Sequence, residues 1–163
     1  MIRSLKFILL ASAALMLAAC GQDDAEQQVE RPPVAAPGPG DDQMAWRNYI
    51  TDVVRRHGPD DYTQTFNYFL PAEDVEEYEA IYARQLENVE VALSRTIPPG
   101  NMLIFTSPHP HRMADLMVSA FEVTPENSLP GVYVLMVGRT DDEERVREVV
   151  TATGASFIFV DMQ

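Results

Sequence analysis

The sequence predicts an α+β domain with a ferredoxin-like core, in which helices pack on one face of a mainly antiparallel sheet. Segments with apolar residues at helical spacing alternate with segments of strand-like alternation or continuous apolar character. In order they give α–βαββαβ–αβ, and the middle six elements follow the split βαβ arrangement. The alternative is a three-layer α/β fold in which residues 62–70 and 88–95 are loop or helix.

The first elements are a helix and a strand. Residues 43–57 place Trp46, Tyr49 and Val53 at helical spacing, and Trp46 is expected to anchor this helix on the sheet. Asp42 suits the N-cap, and Gly58 followed by proline ends the helix. Residues 62–70 then alternate between two faces, which is typical of a strand.

A helix–strand–strand unit is predicted next. Pro71 and the acidic residues after it suit the first turn of a helix that extends to residue 85, with an apolar stripe at Val75, Tyr78 and Tyr82. Residues 88–95 alternate again and indicate a strand. A turn at Pro98–Asn101 then predicts a hairpin with the apolar strand 102–107.

The last elements are predicted from strong patterns. Residues 107–121 show the spacing of a buried helix face, and residues 132–138 form a strand that is apolar on both faces and therefore central. Thr140 and Glu143 form a capping box for a helix that ends at Gly154, and a final strand follows. The buried face of the helix after residue 107 comprises Met113, Leu116, Met117, Ala120 and Phe121.

The N-terminus predicts an export signal. Arg3 and Lys6 precede an uncharged, mostly apolar stretch that is too short to span a bilayer but has the length of a signal-peptide core. Leu17-Ala18-Ala19-Cys20 resembles a bacterial lipobox. The resemblance implies that residues 1–19 are removed, that the thiol of Cys20 carries diacylglycerol, and that its new amine is acylated.

Several acyl chains hold a protein stably on a membrane. By the same resemblance, glycine rather than aspartate after the lipidated cysteine favours the outer membrane, with the domain facing the periplasm. Residues 20–43 contain no aromatic residue and are rich in Pro, Gly, Gln and Asp, so they are expected to form a disordered tether. Residues 44–163 then form one globular domain, since about 120 residues supply one core and not two.

The charge of the chain limits its partners. The net charge of −13 becomes −15 once the predicted signal, with its two basic residues, is removed. Nucleic-acid binding requires a basic surface, so this class of function is excluded. An acidic domain attracts basic proteins and accelerates the encounter with them.

Residues 57–80 and the Val-Glu-Val at 89–91 are similar to the regulator-of-ribonuclease-E-activity B domain, through an acidic strand–helix–strand opening. The similarity covers about thirty residues of the chain. The Gly-Gly-x-Tyr-Asp-Gly-Trp-like ending of that family is missing, and a lipobox does not suit a cytoplasmic regulator. The resemblance therefore implies neither a function nor a site residue.

The segment TSPHPHRMADLM has three interpretations. His109, His111 and Met113, with Met117, could bind copper, since imidazole and thioether are suitable ligands. Ser107 and a histidine could form a nucleophile and base. The segment could also be only a helix start with Ser107 as N-cap. This last interpretation is preferred, because residues two apart on a helix diverge and both methionines have core spacing. No cofactor and no metal are expected.

The second candidate site is an acidic run, which is predicted to lie on a helix and to bind a basic partner. It comprises Glu73, Asp74, Glu76, Glu77 and Glu79. Like charges so close together repel one another, which a purely structural helix could avoid by alternating signs. The predicted function is a non-catalytic, lipid-anchored binding domain, such as an immunity or inhibitor lipoprotein that neutralises a basic toxin or hydrolase. The alternatives are a small copper-handling or stress lipoprotein and an accessory subunit of an envelope assembly.

Overall fold

The computed structural model describes residues 32–162. The lipobox, Cys20 and the first part of the predicted tether lie outside the described residues. Helices and strands alternate strictly from residue 43 onward. They are α1 (Gln43–His57), β1 (Gln64–Phe69), α2 (Tyr78–Leu93), β2 (Asn101–Thr106), α3 (Pro110–Glu122), β3 (Tyr133–Gly138), α4 (Thr140–Ala152) and β4 (Ser156–Asp161).

The four strands form one parallel sheet in the order β1-β2-β3-β4. The fold is therefore mixed α/β, and the predicted ferredoxin-like antiparallel arrangement is wrong. A strand that returns parallel to its neighbour needs a crossover, and α2, α3 and α4 supply the three crossovers. The prediction that 132–138 forms a central strand is confirmed, because β3 lies between β2 and β4.

The error arises from residues 88–95, which were predicted as a strand. They continue α2, whose side chains Val89 and Leu93 are buried one turn apart, whereas Val91 is 43% exposed. Positions i and i+4 share a face in a helix as they do in a strand, so the pair Val89 and Leu93 fits both, and the exposed Val91 between them distinguishes the helix. The predicted hairpin is also wrong, since the turn at 98–101 leads into β2 from a helix. The three-layer alternative is right about residues 88–95 and wrong about 62–70, which contain β1.

Two apolar clusters cover the two faces of the sheet. On one face, α2, α3 and α4 pack on inward side chains of β2 and β3, such as Phe105 and Met136. On the other face, α1 packs through Trp46, Tyr49 and Val53. The molecule therefore has three layers, and the prediction that Trp46 anchors α1 on the sheet is confirmed.

The start of α1 agrees with the prediction. The Asp42 carboxylate accepts a hydrogen bond from the Ala45 N–H (2.9 Å), and Gly58 follows the last helical residue. Part of the segment predicted as a tether contacts this helix. The Val34 N–H donates to Asp52 Oδ2 (3.0 Å), and Ala36 packs against the α1 cluster.

The starts of the other helices differ from the predictions. The α3 N-cap is His109 rather than Ser107, and the α4 N-cap is Arg139, so the capping box is wrong because Thr140 is already the first helical residue. Neither N-cap makes a side-chain capping hydrogen bond. The buried face predicted for α3 and the end of α4 at Gly154, with its φ of 84°, are confirmed.

Candidate functional site

The candidate residues lie at the carboxyl edge of the sheet. Because all four strands are parallel, the loops that follow β1, β2 and β3 emerge at the same edge and lead into α2, α3 and α4. Open α/β sheets usually bind ligands at this edge. The acidic run follows β1, the histidine segment follows β2, and a buried aspartate follows β3.

The acidic run is a loop and not a helix face. We call residues 73–77 the acidic loop; α2 begins only at Tyr78, so the prediction of a helix through Glu73, Asp74, Glu76 and Glu77 is wrong. Of the five predicted partner-binding acids, Glu79 alone lies in α2. Glu77 adopts the left-handed conformation with φ 58°, which reverses the chain before the helix.

Arg112 of α3 pairs with Glu73 at the start of the acidic loop and with Glu79 in the first turn of α2, just after the loop. Its Nε lies 3.0 Å from Glu73 Oε1, and one of its terminal nitrogens donates to Glu79 Oε1 at 3.0 Å. The guanidinium carbon lies 4.5 Å from the centre of the Tyr82 ring and 5.5 Å from that of Tyr78. The planar guanidinium can combine ion pairing and stacking in this way, which an ammonium group cannot.

The middle of the loop has no such neutralisation. Asp74, Glu76 and Glu77 are exposed, and none of them forms an ion pair within residues 32–162. Val75 between them is also exposed. The acidic loop therefore presents to solvent one apolar side chain and three carboxylates that form no ion pair with other described residues.

Asp142 is the centre of a second polar cluster. This carboxylate is buried at the start of α4, and its Oδ1 accepts hydrogen bonds from Arg145 Nε (2.9 Å) and from a terminal nitrogen of Arg145 (2.6 Å). Arg145 also donates to Asp115 of α3 at 2.8 Å. Burial lowers the pKa of Arg145, but these carboxylates outweigh it, so the pKa lies above its ordinary value. The cluster joins α3 to α4.

Arg145 therefore pairs with Asp142, three residues before it in α4, and not with Asp141, four residues before it. Glu143 and Arg147 form a second ion pair within the same helix. Asp142 attracts Arg145 more strongly because its carboxylate is shielded from water, whereas Asp141 is exposed.

The two candidate histidines contact different carboxylates. His109 Nδ1 lies 3.1 Å from Glu73 Oε2, and His111 Nδ1 lies 2.5 Å from Asp142 Oδ2. Met113, the third proposed copper ligand, is fully buried in the core, as is Met117. Within residues 32–162 no group of three or more His, Cys, Asp or Glu is arranged to hold a metal ion.

Ser107 has a structural contact. Its side chain is buried, and Oγ accepts a hydrogen bond from the His109 N–H at 3.0 Å. None of the hydrogen bonds between described residues joins Ser107 Oγ to an imidazole ring. The serine thus shapes the turn between β2 and α3 and lies two residues before the observed N-cap, His109.

A shallow depression of about 390 Å³ lies beside β4 at the same edge. Its lining residues are Arg139, Thr140, Asp141, Asp161 and Met162. None of these was predicted as a site residue. The depression is open and polar, and the sequence pattern offered no signal for it, because its residues come from two separate segments, the start of α4 and the end of β4.

Sequence reasoning missed the roles of Arg112 and Asp142. Basic residues are few in this acidic chain, but Arg112 lies far from the acidic run in the sequence, and that distance concealed the pairing. The buried position of Asp142 was not apparent, because the residue belongs to a run of acids at a helix start, where exposure is usual.

Comparison with known proteins does not extend these observations. The sequence matches no protein-family model, no curated protein and no solved structure. Within residues 32–162, no helix combines the length and the apolar character needed to cross a membrane.

Proposed function

We propose that this protein is a lipid-anchored, non-catalytic binding domain of the bacterial envelope, and that its acidic loop binds a basic protein. One observation carries the proposal. Arg112 pairs with Glu73 at the start of the loop and with Glu79 just after it, while Asp74, Glu76 and Glu77 are exposed and form no ion pair with any other residue of the described range 32–162. A fixed group of unpaired carboxylates attracts a basic partner without first having to be ordered.

The partner is a basic toxin or hydrolase, and the protein acts as its immunity or inhibitor lipoprotein. The lipobox at Leu17–Cys20 supports a location on the outer membrane facing the periplasm, and the net charge of −13 supports a cationic partner. Two of the five acids proposed as partner-binding, Glu73 and Glu79, serve mainly to hold the loop. Asp74, Glu76 and Glu77 are the residues that meet the partner.

The copper-handling alternative has less support. The two imidazoles contact different carboxylates, His109 that of Glu73 and His111 that of Asp142, and Met113 faces the core. Metal analysis of the purified protein separates the two functions. Tight one-to-one copper binding that is abolished by His109→Ala or His111→Ala would favour metal handling.

The proposal is tested by capture from an envelope extract with two double variants of equal charge. Glu76→Lys with Glu77→Lys reverses the charge of two exposed acids in the acidic loop. Glu144→Lys with Glu148→Lys changes the net charge equally on the exposed face of α4 and serves as the control. Wild type and control should retain the same basic protein, and the loop variant should lose it. Equal capture by all three would contradict the proposal.

A further inference from the structure

Strand β1 lies at an open edge of the sheet. Among the strands of residues 32–162, β2 is its only neighbour in the sheet, on one side. The strand QTFNYF contains no charged residue and no proline, although the chain as a whole is strongly acidic. Soluble proteins usually protect such an edge with charges, proline or a bulge, because its unpaired backbone groups can pair with another chain.

The outward backbone groups of β1 can be assigned. The Leu70 N–H donates to Thr106 O of β2 at 3.2 Å. Backbone N–H and C=O groups alternate sides along a strand, so those of Asn67 and Thr65 point away from β2. Gln64, Phe66 and Asn67 are exposed at this edge, and Phe66 remains 38% exposed.

The acidic loop follows this edge directly. Only three residues, 70–72, separate the end of β1 from Glu73. A chain added to β1 would therefore bring residues at one of its ends close to Asp74 and Glu76. Strand addition uses main-chain hydrogen bonds for affinity, while side chains at the ends provide specificity.

We infer that β1 accepts an extended segment of the basic partner as a fifth strand, and that the acidic loop binds basic residues at the end of that segment. The inference rests on the proposed function and gives its mode of binding. Charge complementarity determines which kind of chain pairs with β1. A second copy of this chain would bring the same negative charge to the edge, whereas a segment with terminal arginines is attracted to the loop.

The opposite edge of the sheet, formed by β4, is less suitable for strand addition. Arg147 lies over the Phe157 ring of β4, 4.8 Å from its centre, so a charged side chain covers part of this strand. The residue at the carboxyl end of β4 is Asp161, but no exposed run of acids follows it within the described residues. Of the two sheet edges formed by residues 32–162, only that of β1 combines an uncharged open strand with an adjacent acidic loop.

The test uses two synthetic peptides and the purified full-length chain. Each peptide alternates threonine and valine and carries arginines at one end, the amino end in one peptide and the carboxyl end in the other. Binding is measured by calorimetry. At least one peptide should bind wild type, since strand addition in either direction places one arginine end near the loop. Failure of both to bind overturns the inference.

Two variants of one residue isolate the backbone contact. Asn67→Pro removes an outward N–H and should weaken binding about tenfold or more, because proline is tolerated at an edge but cannot donate there. Asn67→Ala keeps the N–H and should bind like wild type. Slower amide exchange at Thr65 and Asn67 in wild type with peptide bound tests the same contact without any substitution.

The outcomes separate this inference from the proposed function. If Glu76→Lys with Glu77→Lys abolishes binding while Asn67→Pro and Asn67→Ala bind equally, strand addition is wrong and the acidic docking site stands. If neither the double variant Glu76→Lys, Glu77→Lys nor Asn67→Pro alters binding of the peptide or of the captured protein, both proposals are wrong. Unchanged amide exchange at β1 on peptide binding also overturns strand addition.

Discussion

The guanidinium of Arg112 lies 3.0 Å from the carboxylate of Glu73, measured from Nε to Oε1, and this contact joins the acidic loop to the first turn of α3. The two residues are far apart in the chain and meet because β1 and β2 are neighbours in a parallel sheet. Their successive loops therefore emerge side by side.

Replacing Arg112 should loosen the loop and reduce stability modestly. Arg112→Met should lower the free energy of unfolding by about 1 kcal/mol, because partly exposed ion pairs contribute little and a cation–π contact contributes about 0.5–1 kcal/mol. Urea unfolding measures this loss. Arg84→Met on α2, where the arginine is exposed and makes no ion pair among the described residues, is the control and should have no measurable effect. An equal loss of unfolding free energy in both variants would contradict the proposal that Arg112 holds the acidic loop through Glu73 and Glu79.

The helical assignment of residues 88–93 can be tested directly. Val89→Ala should cost about 2 kcal/mol, because the side chain is fully buried against α3 and the sheet. Val91→Ala should change stability little, since this side chain is exposed. In the predicted strand both valines would share the buried face, so similar losses on thermal or urea unfolding would favour the strand.

Much of the fold could be predicted because four segments have patterns with a single interpretation. The continuous apolar runs of β2 and β3, the helical stripe from Met113 to Phe121 and the glycine end of α4 all agree with the structure. The end of α2 could not be predicted, since Val89 and Leu93 suit a strand face and a helix face equally. Because of that one ambiguity, the sequence predicted an antiparallel sheet where the structure has a parallel one.

The site was predictable in composition but not in geometry. The sequence identified the acids and the histidines as candidate residues, and each lies at the carboxyl edge of the sheet. Their pairing depends on contacts between different loops, such as His109 with Glu73 and His111 with Asp142, and no local pattern encodes such contacts. Arg112 was overlooked for this reason.

The docking of residues 34–36 on α1 should depend on pH. Hydrogen bonds from the Val34 N–H and from Arg55 hold the pKa of the Asp52 carboxyl well below its usual range. Folding thus favours the ionised form. This contribution to stability is fully present above the pKa of an unfolded aspartate, about 3.9, and is lost as the pH falls through the lower folded-state pKa.

Asp52→Asn should therefore be less stable than wild type at neutral pH, and the difference should narrow as the pH falls below about 4. Unfolding curves at a series of pH values provide the measurement. Asp60→Asn, at an exposed carboxyl near the end of the same helix, is the control and should follow wild type. A difference for Asp52→Asn that is the same at every pH would contradict a role for its charge.

The proposed lipid anchor gives a prediction about Cys20, which lies outside the described residues. Cys20→Ser should leave the signal uncleaved and the protein without acyl chains, because the hydroxyl does not replace the thiol in the lipobox reaction. Membrane fractionation and the mass of the product measure this. A variant that still fractionates as a mature outer-membrane protein would contradict the lipobox.

The association kinetics of the captured partner test the central claim, that the acidic loop draws a basic protein to this domain. Exposed charges act mainly on the association rate, and salt screens them, since the Debye length falls from about 10 Å at 0.1 M to about 3 Å at 1 M. Wild type and the Glu144→Lys, Glu148→Lys control should associate fast at low salt and more slowly at high salt. The Glu76→Lys, Glu77→Lys variant should associate slowly at both salt concentrations while its dissociation rate changes less. If the loop variant instead associates as fast as wild type at low salt, with its fold intact, the acidic loop is an ordinary solvated surface and the account is wrong.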